Sequence, residues 1–295
     1  MKDTVSRALV LDQRVNIIVA TTTELVAEAA KVHQLWPTSA TALGRTLSMG
    51  AIMGVQLKNE DEMLTIKIDG DGELGSVRVD ANKQGHVKGY VKNPEVLLVK
   101  EDTYKLDVGK AIGKGTLSVS RNYGLKNEYT STIDLVSGEI GEDFAYYYLQ
   151  SEQLPSAVSV GVLVDPDGKI QSAGAMLIQM LPDHTEEDIL IVEDIVRNLK
   201  PMSSLVLEGY TSESLIHTLF EDAQILETKD IKFECDCDRD QMERVLLTLP
   251  VEDLLELKKE DKGINLECQF CAKHYFFNED EIDAIIEKIN HGKNS

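Results

Sequence analysis

All four cysteines of this 295-residue chain lie near its C-terminus, in two tight pairs. Cys235 and Cys237 stand in FECDCDRD, and Cys268 and Cys271 follow thirty residues later in ECQFCAKHYF. A Cys-x-Cys and a Cys-x-x-Cys, each beside a short strand-like run, can converge on one metal ion. Zinc prefers four tetrahedral ligands and binds thiolates at about 2.3 Å. The count and spacing therefore predict a closed zinc site, with one Zn2+ per chain in the reduced protein. His274, three residues after Cys271, could replace one ligand, although a histidine so placed is more often a supporting or surface group. A thioredoxin-type role for Cys268-x-x-Cys271 is disfavoured, because the motif does not open a helix in a βαβ unit. An iron–sulfur cluster stays open, but Cys-x-Cys is uncommon in such sites.

A zinc ion held only by thiolates is also a target for oxidants, since oxidising two thiolates removes two ligands together. Each pair is close enough in sequence to bridge itself. The spacing thus permits, without forcing, a switch between a reduced, metal-bound, folded state and an oxidised, metal-free, unfolded one.

The elements that must position these thiols form a compact C-terminal module, residues 231–295. Asp238 can cap a helix running to about Leu247, Pro250 starts a second, and a last helix spans about Glu279 to Asn290. INLEC and HYFF read as strands around the second cysteine pair. A module of this size has a thin core and usually needs a staple. The metal would be that staple, making binding and folding one equilibrium.

Ahead of it, residues 181–230 read as a helical linker. Thr185 with Asp188 gives a capping-box-like start, and Ile189, Val192, Ile195, Val196 and Leu199 recur at helical spacing. Pro201 stops that helix, and another begins near Thr211 with Leu215, Leu219 and Phe220 apolar. From Gln179 to Asp230 there are 12 acidic and 3 basic residues, a net charge of -9. An amphipathic acidic segment of this kind can dock on a core, or be an ordinary helical extension.

Residues 1–180 mix strand and helix signals. ALVLDQRVNIIVATT gives two β-rich runs; a helix capped by Thr23 then runs through Trp36, and Pro37 closes it. TALGRTLSMGAIMGVQL has the small and apolar residues of a buried helix, and MLTIKIDGDGELGSVRVDA reads as a hairpin. YTSTIDLVSGEI, SAVSVGVLVDPDGKI and QSAGAMLIQML continue the strand pattern. The expected class is α+β, with a mostly antiparallel N-terminal sheet and helices, the helical linker and a small zinc-binding α/β module.

The chain is 42% hydrophobic and 27% charged, a globular composition. Its formal charge of -21 argues against a nucleic-acid backbone as partner. No apolar run approaches the roughly 18 residues of a membrane helix, and MKDTVSRALVLDQRV lacks a signal peptide's apolar core. The expectation is a cytoplasmic protein with no membrane partner, where paired cysteines mean metal or redox chemistry more often than permanent disulfides.

Three other motifs are set aside. GKAIGKGT has one residue too few before its Gly-Lys for a phosphate loop and reads as a loop entering the strand TLSVS. IDGDGELG has calcium-loop spacing only at its start and reads as a turn. Glu139, Glu142 and Asp143 suit the first turn of a helix better than a catalytic carboxylate pair. No nucleophile–base constellation supports an enzyme. An enzyme or binding protein with a purely structural zinc domain is the rival reading, and the acidity disfavours a zinc-knuckle nucleic-acid binder.

FECDCDRDQMERVLLTLPVEDL followed by INLECQFCAKHYFFNEDEI closely resembles the switch domain of the 33 kDa chaperonin family, the redox-regulated heat-shock holdases. ALGRTLSMGAIMGVQLK, IDGDGELGSVRVDA, GHVKGYVKNP, DLVSGEIGEDFAYYYLQSEQLPSAVSVGV and AGAMLIQMLP resemble that family's N-terminal blocks, so the likeness covers essentially the whole chain. Asp238 stands where the family commonly has serine, which caps equally well, and Ala175 where glycine is frequent. The resemblance implies zinc held by Cys235, Cys237, Cys268 and Cys271. It implies that oxidation forms Cys235–Cys237 and Cys268–Cys271 disulfides, releases zinc and unfolds switch and linker. The active form would be a homodimer that binds unfolded or partially folded client proteins without ATP. The negative surface would then limit self-aggregation once apolar area is exposed.

Overall fold

The computed structural model describes residues 2–122 and 128–292. In chain order the elements are strands β1 (Thr4–Val10) and β2 (Val15–Thr21), helices α1 (Thr23–Val32) and α2 (Pro37–Gly54), and strands β3 (Met63–Gly70), β4 (Ser76–Asn82) and β5 (His86–Val91). Helix α3 (Val108–Ile112), strands β6 (Gly115–Asn122) and β7 (Glu128–Asp134), helix α4 (Gly141–Gln150) and strands β8 (Ser156–Val164) and β9 (Ile170–Met180) follow. Then come α5 (Glu186–Asn198), α6 (Met202–Leu207), α7 (Ser212–Leu219), β10 (Gln224–Asp230) and β11 (Lys232–Phe233). The chain ends with α8 (Arg239–Leu246), α9 (Val251–Asp261), β12 (Gly263–Glu267), β13 (His274–Asn278) and α10 (Glu279–Gly292). The α+β reading with antiparallel sheets holds. The chain divides into two compact units, Met1–Glu234 and Cys235–Ser295.

The first unit holds two sheets where the sequence suggested one. One has the order β10-β1-β2-β9-β8 and is antiparallel throughout. The other has the order β11-β5-β4-β3-β6-β7, with only the β11–β5 pair parallel. Helix α2 contacts strands of both and is buried along its length apart from Pro37 and Arg45. Two glycines permit this sandwich. A Cβ on Gly44 would come within 2.6 Å of Val26, and one on Gly50 within 2.7 Å of Val79. The buried hydroxyls of Thr41, Thr46 and Ser48 donate to carbonyls one turn back, so the helix carries polar atoms inside at little cost.

Strand alternation gives the five-stranded sheet two apolar faces. Ile18 and Ala20 of β2, with Ala175 and Leu177 of β9, join the core around α2. Ile17 and Val19, with Met176, Ile178 and Met180, face the opposite way and pack on Val192, Met202, Leu205, Leu215, Ile216 and Phe220. Helices α5, α6 and α7 therefore cover the outer face of the sheet. Ile189, Ile195, Val196, Leu199 and Leu219 sit half-buried at the margin of that contact. The expected capping box is present: Asp188 N donates to Thr185 Oγ1 (3.2 Å) and Thr185 N to Asp188 Oδ2 (2.8 Å). Arg14, at the end of the β1–β2 turn, clamps the same carboxylate through Nε (2.7 Å) and Nη2 (3.0 Å). That side-chain bond holds Asp188 well below the usual carboxylate range.

Three local expectations change. Pro37 does not close α1, which ends at Val32; it is the first residue of α2, a position where its missing N–H costs nothing. The stretch expected to be helical up to Asp230 contains the extra helix α6 and ends in the edge strand β10, paired with β1. Thr23 does not cap α1 either, since its hydroxyl accepts from Ala173 N. The cap comes from Asp3, whose Oδ2 accepts from Leu25 N at 2.8 Å.

Asp3 is 3% exposed. Burial, offset in part by the N–H groups of α1, pushes its pKa up to about 7. The folded chain then keeps a proton that the unfolded chain releases near pH 4. Its stability contribution is fully present below about pH 4 and is lost as pH rises through about 7, by up to roughly 1.4 kcal/mol per pH unit. Asp3→Asn keeps the acceptor oxygen and cannot ionise. Urea unfolding followed at Trp36, the single tryptophan, should show the variant gaining on the parent between pH 4 and 7.5. A difference independent of pH would mean that Asp3 ionises freely.

Candidate metal centre

In the second unit, Cys235 and Cys237 lie in the irregular segment that precedes α8. Asp238 then accepts from Gln241 N (2.7 Å) and starts α8, as its position suggested. The second pair lies in the turn between β12 and β13. Cys268 N donates to Lys273 O (2.9 Å) and Ala272 N to Cys268 O (2.8 Å), with Ala272 left-handed at φ 55. The β12–β13 pairing closes the hairpin that carries this turn.

The four sulfurs all lie within 4.8 Å of one another. Cys235 Sγ is 3.8 Å from Cys268 Sγ, and Cys237 Sγ is 3.3 Å from Cys271 Sγ. Four ligands at about 2.3 Å around a tetrahedral ion have edges of about 3.8 Å. The donor set therefore fits a closed all-thiolate zinc site in both geometry and chemistry. All four are free thiols. Burial pushes the Cys271 thiol up to about 11. At Cys237 burial is outweighed by hydrogen bonds from Tyr275 and the neighbouring thiols, which draw its pKa down. Four thiolates this close repel one another strongly unless a cation sits among them.

His274 is not in the cluster; it is exposed, with Nε2 3.8 Å from a Glu267 oxygen. Tyr275 is the neighbour that the sequence reading missed, having treated HYFF only as a strand. Its hydroxyl lies 2.8 Å from Cys237 O and 3.2 Å from Cys237 Sγ, so its single proton is shared between the two acceptors. The site is built into the small core itself. Cys268 is 5% exposed and belongs to one cluster with Leu246, Leu254, Ile264, Tyr275, Phe277 and Ile282.

The motifs set aside prove structural. GKAI forms helix α3 rather than a loop, and Lys114 N donates to Asp71 Oδ1, which ties the two Gly-rich turns together. Asp143 accepts from the N–H groups of Val136, Ser137, Gly138 and Ile140, and Glu139 pairs with Arg45 and Lys100. Among the described residues no helix is long and apolar enough to cross a membrane.

Residues 3–278 match the family model described as Hsp33 protein. The 33 kDa chaperonin of Bacillus licheniformis is 39% identical over 289 residues, covering 97% of this chain and 100% of that protein. That of Clostridium botulinum is 43% identical over 290 residues, covering 97% of this chain and 98% of the relative. The crystal structure of the 33 kDa chaperonin of Thermotoga maritima superposes with a TM-score of 0.91 at 34% identity, over 98% of this chain and 100% of that one.

The geometry sets a direct test. Zinc titration of the fully reduced chain, read by a competing chelator dye, should saturate at one ion per chain. Each of Cys235→Ser, Cys237→Ser, Cys268→Ser and Cys271→Ser should weaken uptake by at least about tenfold, and uptake should release protons and weaken as pH falls. Undiminished zinc binding with two of the four replaced together would rule out a four-thiolate site.

Proposed function

The chain belongs to the Hsp33 family, and from that membership and its four-thiol centre we propose that it is a redox-regulated, ATP-independent chaperone that holds unfolding proteins. In the reduced state Cys235, Cys237, Cys268 and Cys271 hold one Zn2+, which neutralises the thiolates and staples the small unit. The observation that carries this reading is that the sulfur cluster is joined to the core of that unit, Cys268 lying inside the core and Cys235, Cys237 and Cys271 packing against it. Losing the ligands therefore costs the unit its packing.

Oxidation removes ligands two at a time. A disulfide forms as one thiolate attacks the sulfur of an oxidised neighbour, with an oxidant such as peroxide taking up two electrons. The pairing Cys235–Cys237 and Cys268–Cys271 follows the family resemblance; the observed spacings would equally admit Cys235–Cys268 and Cys237–Cys271. Either pairing releases the ion and unfolds the small unit. The linker helices then detach and uncover the outer face of the five-stranded sheet together with their own apolar faces. Unfolded or partially folded proteins bind there, the active form being a homodimer working in the cytoplasm, with no part played by nucleic acid, membrane or catalysis.

Peroxide with mild heat should release zinc, lower helix content, raise binding of an apolar dye and switch on suppression of aggregation of a thermally unfolding client, all without nucleotide. Reductant with zinc should reverse all four, and peptide mapping should find the two within-pair bridges. Activity that appears while zinc stays fully bound would refute this order of events. Equal activity in both redox states would leave a constitutive holdase.

The linker gives a second test. Burial of each large apolar side chain on the sheet contributes on the order of 2 kcal/mol. Val192→Ser with Leu215→Ser should therefore loosen α5 and α7 and give partial holding activity in the reduced, zinc-loaded protein. A folded, fully inactive double variant would remove the linker from the role of lid.

A further inference from the structure

Away from the thiols, the inward face of the five-stranded sheet breaks its own pattern. Val5, Ile18, Ala20, Ala175 and Leu177 on that face are apolar core. Arg7 on β1, Asn16 on β2 and Gln179 on β9 interrupt it, Asn16 and Gln179 standing directly opposite in register and Arg7 opposite Ile18, two residues along β2. Asn16 is 2% and Gln179 4% exposed. Polar groups buried at core positions cost free energy unless they are bonded, so their bonding can be traced atom by atom.

The guanidinium can only donate. Arg7 Nε donates to Asn16 Oδ1 (2.9 Å), which turns Asn16 Nδ2 toward Gln179 Oε1 (2.9 Å). Gln56 Nε2 donates to the same oxygen (3.1 Å). The chain of bonds thus fixes the Gln179 carboxamide with its oxygen spent and its Nε2 unbonded among the described residues. The terminal nitrogens of Arg7 likewise have no partner there. Nearby, the Tyr148 hydroxyl is one of only two fully buried side-chain polar atoms among the described residues that lack a hydrogen bond.

All these residues line one cavity of about 350 Å³. Among the described residues, Gln179 Nε2 and the terminal nitrogens of Arg7 are unspent donors, and Gln56 Oε1 and Glu152 Oε2 are unspent acceptors. Three cations, Arg7, Lys58 and Arg121, line it against two carboxylates, Glu62 and Glu152. Both carboxylates are engaged: Glu62 accepts from Lys58 N, and Glu152 from Arg121 and Tyr147. One positive charge is left over, and Met53, Leu57, Leu154 and Leu181 add apolar wall.

We propose that this cavity binds a small organic monocarboxylate, whose carboxylate meets Arg7 and Gln179 and whose short apolar body lies on the leucine side. The charge left over selects one negative charge rather than two, and the two glutamates oppose a dianion. The Tyr148 side chain lines the cavity while its unbonded hydroxyl is enclosed just beneath the wall; under this proposal the wall yields as the ligand enters and the hydroxyl donates to the anion.

Butyrate is a suitable probe, with its neutral isostere butyramide as control, on the full-length reduced zinc-loaded protein. Ligand-observed NMR should show saturable butyrate binding and at least about tenfold weaker butyramide binding. Arg7→Gln should abolish that preference, since a charge-assisted bond is lost. Tyr148→Phe removes a hydroxyl without a partner, so its Tm should not fall, while butyrate binding weakens severalfold. Because that variant tests the site without disturbing a bonded group, the proposal does not depend on Arg7→Gln folding well. Absence of butyrate binding, equal binding of butyrate and butyramide, or butyrate affinity unchanged in Tyr148→Phe overturns the proposal.

Discussion

A sheet whose central strands are apolar on both faces cannot leave either face to water, and much of this structure follows from that constraint. In β2 and β9, residues of both parities are aliphatic, so that Ile17 and Ile18 serve opposite cores. The inner face is closed by α2, which is held on both sides by sheet and packs through Gly44 and Gly50. The outer face is closed by helices of 13, 6 and 8 residues. Isolated helices this short are marginal in water. They owe their helicity to the sheet, and the sheet owes its solubility to them. Such a cover is removable in a way that α2 is not, and its removal exposes apolar surface on both partners.

The small unit solves its stability problem differently. A chain of this size seldom builds a sufficient core without a cross-link or metal. Here one residue with ligand chemistry, Cys268, is packed in the core among Leu246, Leu254 and Phe277, and the other three pack against that core. Fold and redox chemistry therefore cannot be separated in this unit. Under the proposed function that coupling is the device itself, because the oxidant need only act on sulfur to undo packing.

The formal charge of -21 is not all solvated surface. Asp143 organises the turn before α4 by accepting four backbone N–H groups. Asp188 joins a cap to an arginine clamp, and Asp3 caps a helix from a strand. Carboxylates at helix starts satisfy otherwise unpaired N–H groups and oppose the helix dipole. The rest of the acidity lies largely on exposed faces, including the outer side of α5. There it keeps the docked linker soluble while leaving its inner face apolar.

Local chemistry was legible in the sequence. The four cysteines and their spacing, the caps at Asp238 and Thr185, the helix start near Thr211, the buried small-residue helix and the apolar periodicity of the linker depend on residues a few positions apart. The chain's neighbours in sequence are their neighbours in space. Pairings over long sequence distances were not legible. Asp3 displaces Thr23 as a cap, Arg14 reaches Asp188, β10 returns to β1 and the strands divide into two sheets. Asn16 and Gln179 acquire meaning only when register sets them opposite each other. Even the thiols share this division: spacing showed that each pair could bind together, but only the fold brings all four sulfurs within 4.8 Å. The physical reason is common to all these cases. Periodicity and capping are fixed by covalent geometry within a turn or two, whereas strand partners, distant caps and the identity of a buried polar group's partner are chosen by which apolar surfaces exclude water together.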